Sequence, residues 1–205
     1  MIAIIDYNAG NLQSVYKAFK HIGCDCFITR DRDEIMNADG AVLPGVGSFG
    51  DTVDTLGEFG IKQVVIDYIK SGKPFLGICL GLQLLFPHSE ESPGAEGLGI
   101  FEGEIKRIPD GEGLKIPHMG WNSLTVNPNS RLLRGIEENP YVYFVHSYYL
   151  DAADKEIVAA QTEYGVKIDA AVEKDNVFAT QFHPEKSGEL GLAILKNFAE
   201  IVGGK

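Results

Sequence analysis

The sequence is poor in cysteine, tryptophan and basic residues, and it has no long apolar run. Its 205 residues include three cysteines, one tryptophan and 18 lysines and arginines, against 29 aspartates and glutamates. The formal charge of −11 argues against nucleic acid and anionic membranes as main partners. No apolar stretch approaches the roughly 18 residues of a membrane-spanning helix. The start "MIAIIDYNAG" lacks the basic segment of a signal peptide.

The cysteines show no spacing that would indicate a disulfide framework. An odd number of them is typical of a reducing compartment, so we expect a cytoplasmic protein. Cys24 and Cys26 form a C-x-C pair without a second pair at matching spacing, so we expect no metal. We also expect no cofactor, since there is no phosphate loop or dinucleotide fingerprint. Without a linker or repeat, the sequence predicts one domain over residues 1–205.

The pattern of apolar residues changes between the two halves of the chain. Through the first 80 residues, strand-like runs such as 2–6 and 73–78 alternate with helical runs such as 61–72. After a polar loop at 87–99, strand-like runs follow one another, including "YVYFVHSYYL" (141–150). The sequence therefore predicts an α/β fold with a mostly parallel central sheet flanked by helices and an added antiparallel portion.

Cys79 stands between Gly77 and Gly81, where a strand pattern changes to a helix pattern. The glycines permit a turn too tight for flanking side chains, which would push the thiol out above the sheet edge. Helix N-terminal amides would then favour the thiolate, and the N–H of Leu80 could meet a developing oxyanion. A buried structural cysteine is the alternative explanation.

A second candidate group is "QFHPE" (181–185), in which Pro184 separates His183 from Glu185. Proline pushes the residue before it towards an extended conformation. Because residues two apart on an extended segment share a face, we expect the imidazole and the carboxylate to lie side by side. With Cys79, they would form a nucleophile, a base and a group that orients the base. A surface turn with an incidental His and Glu is the alternative.

Together "GICLGLQLLF" (77–86) and "QFHPEKS" (181–187) resemble the class I, triad-type glutamine amidotransferases. The resemblance implies a flavodoxin-like α/β fold and hydrolysis of glutamine to glutamate and ammonia through a Cys79 thioester. The loop "PGVGSFG" (44–50) matches the oxyanion strand of that family. The resemblance also implies oxyanion or substrate contacts from seven residues: Val46, Gly47, Leu80, Gln83, His146, Ser147 and Tyr148.

Within that family, the chain most resembles the glutaminase subunits of imidazole glycerol phosphate synthases, from Met1 to Lys205. The segments "IIDYNAGNLQSV", "LPGVGSFGD", "KIPHMGWN" and "YFVHSYY" carry this resemblance, whereas "PHSEESPGA" (87–95) departs from it and is expected to affect only the local surface. The resemblance implies a heterodimer with a (β/α)8-barrel cyclase that receives the ammonia and makes imidazole glycerol phosphate and AICAR in histidine biosynthesis. Amides, aromatics and methionine suit such an interface. We expect these residues at it: Asn8, Asn11, Pro117, His118, Met119, Trp121 and Asn122.

Three other interpretations stay open at this point. The chain could serve another synthase, for pyridoxal phosphate, anthranilate or GMP, although the loop "PGVGSFG" lacks the Gly-Gly-Glu-Ser run of the pyridoxal type. It could be a stand-alone cysteine-dependent hydrolase, such as a γ-glutamyl peptidase, which would act without a partner. It could also be an interaction module that has kept the fold without the activity.

Overall fold

The computed structural model describes residues 1–8 and 11–204. The strands in this part of the chain are β1 (Ile2–Ile5), β2 (Cys26–Thr29), β3 (Gly40–Gly45), β4 (Phe75–Cys79), β5 (His88–Ser89), β6 (Gly103–Arg107), β7 (His118–Ser123), β8 (Thr125–Val126), β9 (Tyr141–His146), β10 (Tyr148–Ala152), β11 (Val158–Glu163), β12 (Lys167–Lys174) and β13 (Val177–Thr180). The helices are α1 (Leu12–His21), α2 (Arg32–Asn37), α3 (Phe49–Glu58), α4 (Ile61–Lys70), α5 (Leu80–Gln83) and α6 (Gly188–Val202), with 3₁₀ turns at Lys155–Ile157 and Pro184–Lys186. None of the helices described is both long and apolar enough to cross a membrane.

The central sheet of the described chain has eight strands in the order β2-β1-β3-β4-β13-β12-β11-β8. The first five are parallel, and numbered among themselves they have the flavodoxin-like order 2-1-3-4-5. The remaining three continue the sheet in antiparallel fashion. The predicted fold, a mostly parallel sheet with an antiparallel addition, is confirmed.

The parallel strands are buried on both faces, which explains their nearly continuous apolar sequences. Val42 of β3 enters a core with Phe19 of α1 and Phe198 of α6, whereas its neighbour Leu43 enters a second core with Leu56 of α3. Helices therefore cover both faces of the sheet, as the alternating pattern predicted.

Outside the central sheet, the structure describes two smaller sheets. β10, β6 and β5 form one, and β7 pairs with β9 in an antiparallel two-stranded ribbon. The prediction of one strand over 141–150 is therefore wrong, because the run breaks at Ser147. His146 pairs with His118 in the ribbon, whereas Tyr148 pairs with Arg107 in the other sheet. Apolar alternation continues through the break, so periodicity alone could not reveal it.

The helix that follows Cys79 is shorter than expected. α5 is a single turn, and the chain leaves the helix after Gln83. The carbonyls of Leu84 and Leu85 accept main-chain hydrogen bonds from Leu98 and Ile100 at 2.7 and 2.8 Å, so a neighbouring segment replaces the helical partners. The contribution of a helix dipole to a Cys79 thiolate is correspondingly small, because that dipole sums over aligned peptides.

Candidate active site

Cys79 occupies a backbone conformation that side chains rarely adopt. It is the last residue of β4, opposite Gly45 of β3, and its φ and ψ are 56° and −107°. A non-glycine residue at positive φ is strained, and such strain is found preferentially at functional sites. With this conformation the chain turns sharply between strand and helix, as the elbow pattern predicted.

The flanking glycines are required by close approaches of the backbone. A Cβ at Gly77 would lie 2.5 Å from the carbonyl oxygen of Gly81. One at Gly81 would lie 2.0 Å from the carbonyl oxygen of Leu43 on β3. Neither contact can relax without moving main chain, so the glycines fix how closely the elbow packs on the neighbouring strand.

His183 and Glu185 make the expected contact by a different route from the one predicted. His183 Nδ1 lies 2.8 Å from Glu185 Oε1, and both side chains are buried. His183 is extended, but Glu185 belongs to the 3₁₀ turn that begins at Pro184. The turn, rather than the two-residue period of a strand, therefore brings the carboxylate beneath the imidazole.

The backbone of His183 is held on both sides. Its N–H donates to the carbonyl of Tyr143 on β9 at 3.0 Å. Its carbonyl accepts from the Ser187 hydroxyl at 2.7 Å, and that hydroxyl accepts from the Tyr143 N–H at 3.0 Å. Sequence reasoning missed Ser187, since only the fold brings Tyr143 to it.

The charge environment of His183 favours the imidazolium. Burial lowers its pKa, but the nearby Cys79 sulfur and the Glu185 carboxylate raise it, and the net pKa is about 9. Two buried atoms of the pair, His183 Nε2 and Glu185 Oε2, have no hydrogen-bond partner among the described residues. Because Glu185 occupies Nδ1, Nε2 is the ring nitrogen that remains to exchange a proton with the Cys79 sulfur.

Cys79 and His183 line one cavity of about 430 Å³. The cavity also contains every residue for which the sequence predicted oxyanion or substrate contacts: Val46, Gly47, Leu80, Gln83, His146, Ser147 and Tyr148. Glu185 is not part of the wall and lies behind His183. The strand ends of β3, β4 and β13 thus converge on one opening, as expected for an open parallel sheet.

Gln83 and His146 meet at the Tyr148 carbonyl. Gln83 Nε2 donates to it at 3.1 Å and His146 Nδ1 donates at 2.9 Å. Burial lowers the pKa of His146 to about 3, which keeps its imidazole neutral. The two side chains therefore hold the backbone that crosses the cavity beyond Ser147.

Sequence reasoning also missed Gln181, which contacts the nucleophile from behind the cavity, and Glu91, which lines the cavity. Gln181 is fully buried and donates from Nε2 to Cys79 Sγ at 3.7 Å, and no spacing rule distinguishes it from a strand residue. Glu91 lines the cavity, and its carboxylate accepts from the Phe49 N–H at the start of α3 at 2.8 Å. The loop at 87–95 was expected to affect only the local surface, and this was wrong, because Glu91 of that loop lines the cavity.

The residues predicted to contact a partner lie in different settings. Met119 and Trp121 are 62% and 55% exposed on one face of the β7–β9 ribbon, and Pro117 at its edge borders the cavity. His118 is only 3% exposed, on the opposite face of the ribbon. Asn122 is half-buried, with Nδ2 bonded to the Glu163 carbonyl. Asn8 is exposed, and Asn11 precedes α1 without a side-chain cap.

Several solved structures share this architecture. A glutamine amidotransferase crystal structure superposes with a TM-score of 0.78, at 20% identity, covering 99% of this chain and 100% of the other. A chain of PurLQS from Thermotoga maritima gives 0.77, at 22% identity and 98% coverage of both chains. At such identities the likeness concerns the fold.

The fold and the site together are typical of a triad-type glutamine amidotransferase. The model of the family "Glutamine amidotransferase class-I" matches residues 3–202. The "Imidazole glycerol phosphate synthase subunit HisH" of Caldanaerobacter subterraneus subsp. tengcongensis is 54% identical over 98% of both chains. That of Methanothermobacter thermautotrophicus is 52% identical over 98% of this chain and 99% of the relative. The chain belongs to the class I glutamine amidotransferases and, within them, to the family of HisH subunits.

Proposed function

We propose that this chain is the glutaminase subunit of an imidazole glycerol phosphate synthase. It hydrolyses L-glutamine and passes the ammonia to a separate cyclase subunit for histidine biosynthesis. The observation that carries the proposal is the buried His183–Glu185 pair, in which His183 lines the same cavity as the strained Cys79. The high identity to HisH subunits favours this synthase over those for pyridoxal phosphate, anthranilate or GMP.

The first half-reaction breaks the carbon–nitrogen bond of the glutamine side chain. Because the pKa of His183 is about 9, its imidazole carries a proton at neutral pH and stabilises the Cys79 sulfur as a thiolate. The sulfur attacks the amide carbon, and the amides of Leu80 and of Val46 or Gly47 stabilise the oxyanion. His183 then gives its proton to the departing nitrogen, which leaves as ammonia while the glutamyl thioester remains.

The second half-reaction restores the enzyme. His183, now neutral, takes a proton from a water molecule that attacks the thioester carbon. The carbon–sulfur bond breaks, glutamate leaves, and the sulfur again faces the imidazolium. Glu185 accepts from Nδ1–H throughout and so keeps Nε2 directed at the reacting atoms.

The cavity wall that includes Gln83 and residues 146–148 suits the amino-acid end of glutamine. The segment from His146 to Tyr148 presents backbone and side-chain polar groups there, and Gln83 stands one turn after Cys79. The Glu91 carboxylate also lines the cavity and would accept from an α-ammonium group. We therefore assign substrate binding to this wall and thioester chemistry to the elbow.

We assign cyclase docking to the exposed face of the β7–β9 ribbon, called here the outer face. Its register places Met119, Trp121 and Ser123 opposite Val145, Tyr143 and Tyr141. Exposed aromatics and methionine in one patch are typical of interfaces. Pro117 and Val145 belong both to this ribbon region and to the cavity wall, so ammonia released at Cys79 emerges beside the docked cyclase.

The decisive experiment measures glutamate release from glutamine by the chain alone, then with the cyclase and its nucleotide ligand. We expect a large rise in rate when the cyclase is added. Strong hydrolysis that the cyclase leaves unchanged would instead support a stand-alone hydrolase. No glutamate release under either condition would support an interaction module without activity.

A matched pair of variants tests the docking assignment. We expect Trp121→Ala to raise the Kd for the cyclase about tenfold or more, as for a central interface aromatic. Phe59→Ala, at an exposed aromatic outside the ribbon, should leave the Kd within about twofold of the wild type. Equal effects would contradict docking on the outer face.

The remaining parts of the proposal concern organisation and location. We propose that residues 1–205 act as one glutamine amidotransferase domain in the cytoplasm, as one half of a heterodimer. The three cysteines are all free, which is compatible with a reducing compartment. Native mass spectrometry of the chain mixed with the cyclase tests the heterodimer directly.

A further inference from the structure

The contacts at Tyr148 belong to a longer chain of hydrogen bonds that reaches the nucleophile. We propose that this chain is a positioning device linking the ribbon to the Cys79 sulfur, an inference that rests on the proposed function. Its links are Asn122 Nδ2 to His118 Nε2 (3.4 Å), His118 Nδ1 to His146 Nε2 (3.0 Å), His146 Nδ1 to the Tyr148 carbonyl (2.9 Å), Gln83 Nε2 to that carbonyl (3.1 Å) and to Gln181 Oε1 (3.0 Å), and Gln181 Nε2 to Cys79 Sγ (3.7 Å).

A main-chain carbonyl fixes the direction of the bonds that lead to the sulfur. The Tyr148 carbonyl can only accept, so the Gln83 group that faces it must be the amide NH₂. The same NH₂ faces Gln181, which must therefore present its oxygen to Gln83 and its nitrogen to Cys79. Gln181 thus offers the sulfur a donor, which stabilises a thiolate more than a thiol.

The same carbonyl fixes the histidine tautomers on the other side. His146 must donate from Nδ1 to Tyr148, so its Nε2 accepts from His118 Nδ1. His118 then accepts at Nε2 from the amide of Asn122. Burial lowers the pKa of His118 to about 4, so both rings stay neutral near pH 7 and keep these tautomers. No hydrogen bond in this chain can exchange its donor and acceptor unless a neighbouring hydrogen bond also breaks.

The network also connects the two faces of β7. His118 is stacked between the rings of Phe144 and Tyr164, with centroids 4.8 and 4.0 Å away. Its neighbour Met119 points to the outer face, and a shift of β7 therefore moves the His118 donor relative to His146. A partner bound to the outer face acts through this network on the donor that Gln181 presents to the sulfur.

The link at the sulfur is tested by alkylation of Cys79 with iodoacetamide, followed by peptide mass spectrometry to separate it from Cys24 and Cys26. We expect Gln181→Met to slow alkylation of Cys79 about tenfold and to lower kcat for glutamine similarly, with KM within about twofold. The matched control Gln63→Met, at an exposed helix position, should leave both rates unchanged. Wild-type alkylation and kcat in folded Gln181→Met would overturn the proposal.

The link to the ribbon is tested at His118, again by the alkylation rate of Cys79. His118→Phe keeps a ring between Phe144 and Tyr164 but removes the donor, and we expect alkylation about threefold slower. His118→Asn offers an amide N–H where Nδ1 stood and should restore most of the rate.

The double variant shows whether the two ends belong to one network. In His118→Phe combined with Gln181→Met, we expect a loss smaller than the product of the single losses, since either change already breaks the network. A loss equal to the product would overturn the proposal. Alkylation of Cys79 does not require turnover. A wild-type chain without glutaminase activity would therefore contradict the proposed function, whereas the alkylation rates would still test the network.

Discussion

Buried histidines at two places in this chain are driven in opposite directions by their surroundings. His183 lies beside the Cys79 sulfur and the Glu185 carboxylate, which raise its pKa to about 9 in spite of burial. His146 has no carboxylate among the groups that shift its pKa, and burial, with smaller contributions from His118 and His183, lowers that pKa to about 3. Burial alone therefore does not decide whether a histidine is charged. The groups beside each imidazole decide its charge, and they distinguish the proton-transfer site at His183 from the positioning site at His146.

Removal of the Cys79 sulfur is the strongest test of the difference between His183 and His146. We expect Cys79→Ala to lower glutamine hydrolysis by at least about a thousandfold. The synthase complex should still use added ammonia, because the cyclase is intact. Glutamate release and ammonia-driven product formation measure the two effects.

The same variant tests the origin of the His183 charge. Because the sulfur is one cause of the raised pKa of His183, that pKa should fall in Cys79→Ala. NMR titration of the imidazole measures it, with His21 as an exposed internal reference. Glutamine-dependent turnover at the wild-type rate would exclude Cys79 as the nucleophile.

Glu185→Gln should weaken the site less than Cys79→Ala does. A glutamine oxygen can still accept from His183 Nδ1–H, so orientation is partly kept while one negative charge is lost. We expect a loss of about a hundredfold in kcat/KM for glutamine, the low end of what general acid–base catalysis contributes. Steady-state kinetics measure it, and a loss as large as that of Cys79→Ala would mean that charge matters more than orientation.

The neutral histidines predict a loss of stability in acid. The unfolded chain takes up protons at His118 and His146 near pH 6.5, whereas the folded chain resists protonation until about pH 4 and pH 3. Stability is therefore fully present well above pH 6.5 and falls as the pH drops, by about 3 kcal/mol for the pair between pH 6.5 and pH 5.

Denaturant unfolding at several pH values measures this slope. In His118→Phe the slope should be shallower, because one of the two titrating groups is gone. His21→Asn, at an exposed position, should keep the wild-type slope. Parallel curves for the wild type and His118→Phe would contradict a neutral, buried His118.

The charged histidine predicts a smaller effect at the alkaline end. Above the His183 pKa of about 9 the imidazolium is lost, and with it the proton for the leaving nitrogen. The kcat/KM for glutamine should fall about tenfold per pH unit beyond that point. A rate that stays level to pH 10.5 would show that the neutral imidazole suffices.

The parallel half of the fold was predictable because its signals are local. Buried strands read as apolar runs, helices show their period, and Gly77 and Gly81 mark the elbow within five residues. The remaining features of the fold and the site depend on long-range contacts that local sequence patterns do not indicate. Gln181 reaches Cys79 only because β13 pairs with β4, and the break at Ser147 exists because two sheets share one apolar run. Glu91 is held at the site by the hydrogen bond from the Phe49 N–H at the start of α3 to its carboxylate.

The position of β13 has a consequence for how the protein is made. This strand comes late in the chain, yet it lies between β4 and β12 in the middle of the sheet. Gln181 follows Cys79 by 102 positions, which a ribosome adding about 5–20 residues per second needs roughly 5–20 s to synthesise. During that time the nascent chain has Cys79 but not yet its base, His183. It therefore cannot hydrolyse glutamine until β13 has inserted between β4 and β12.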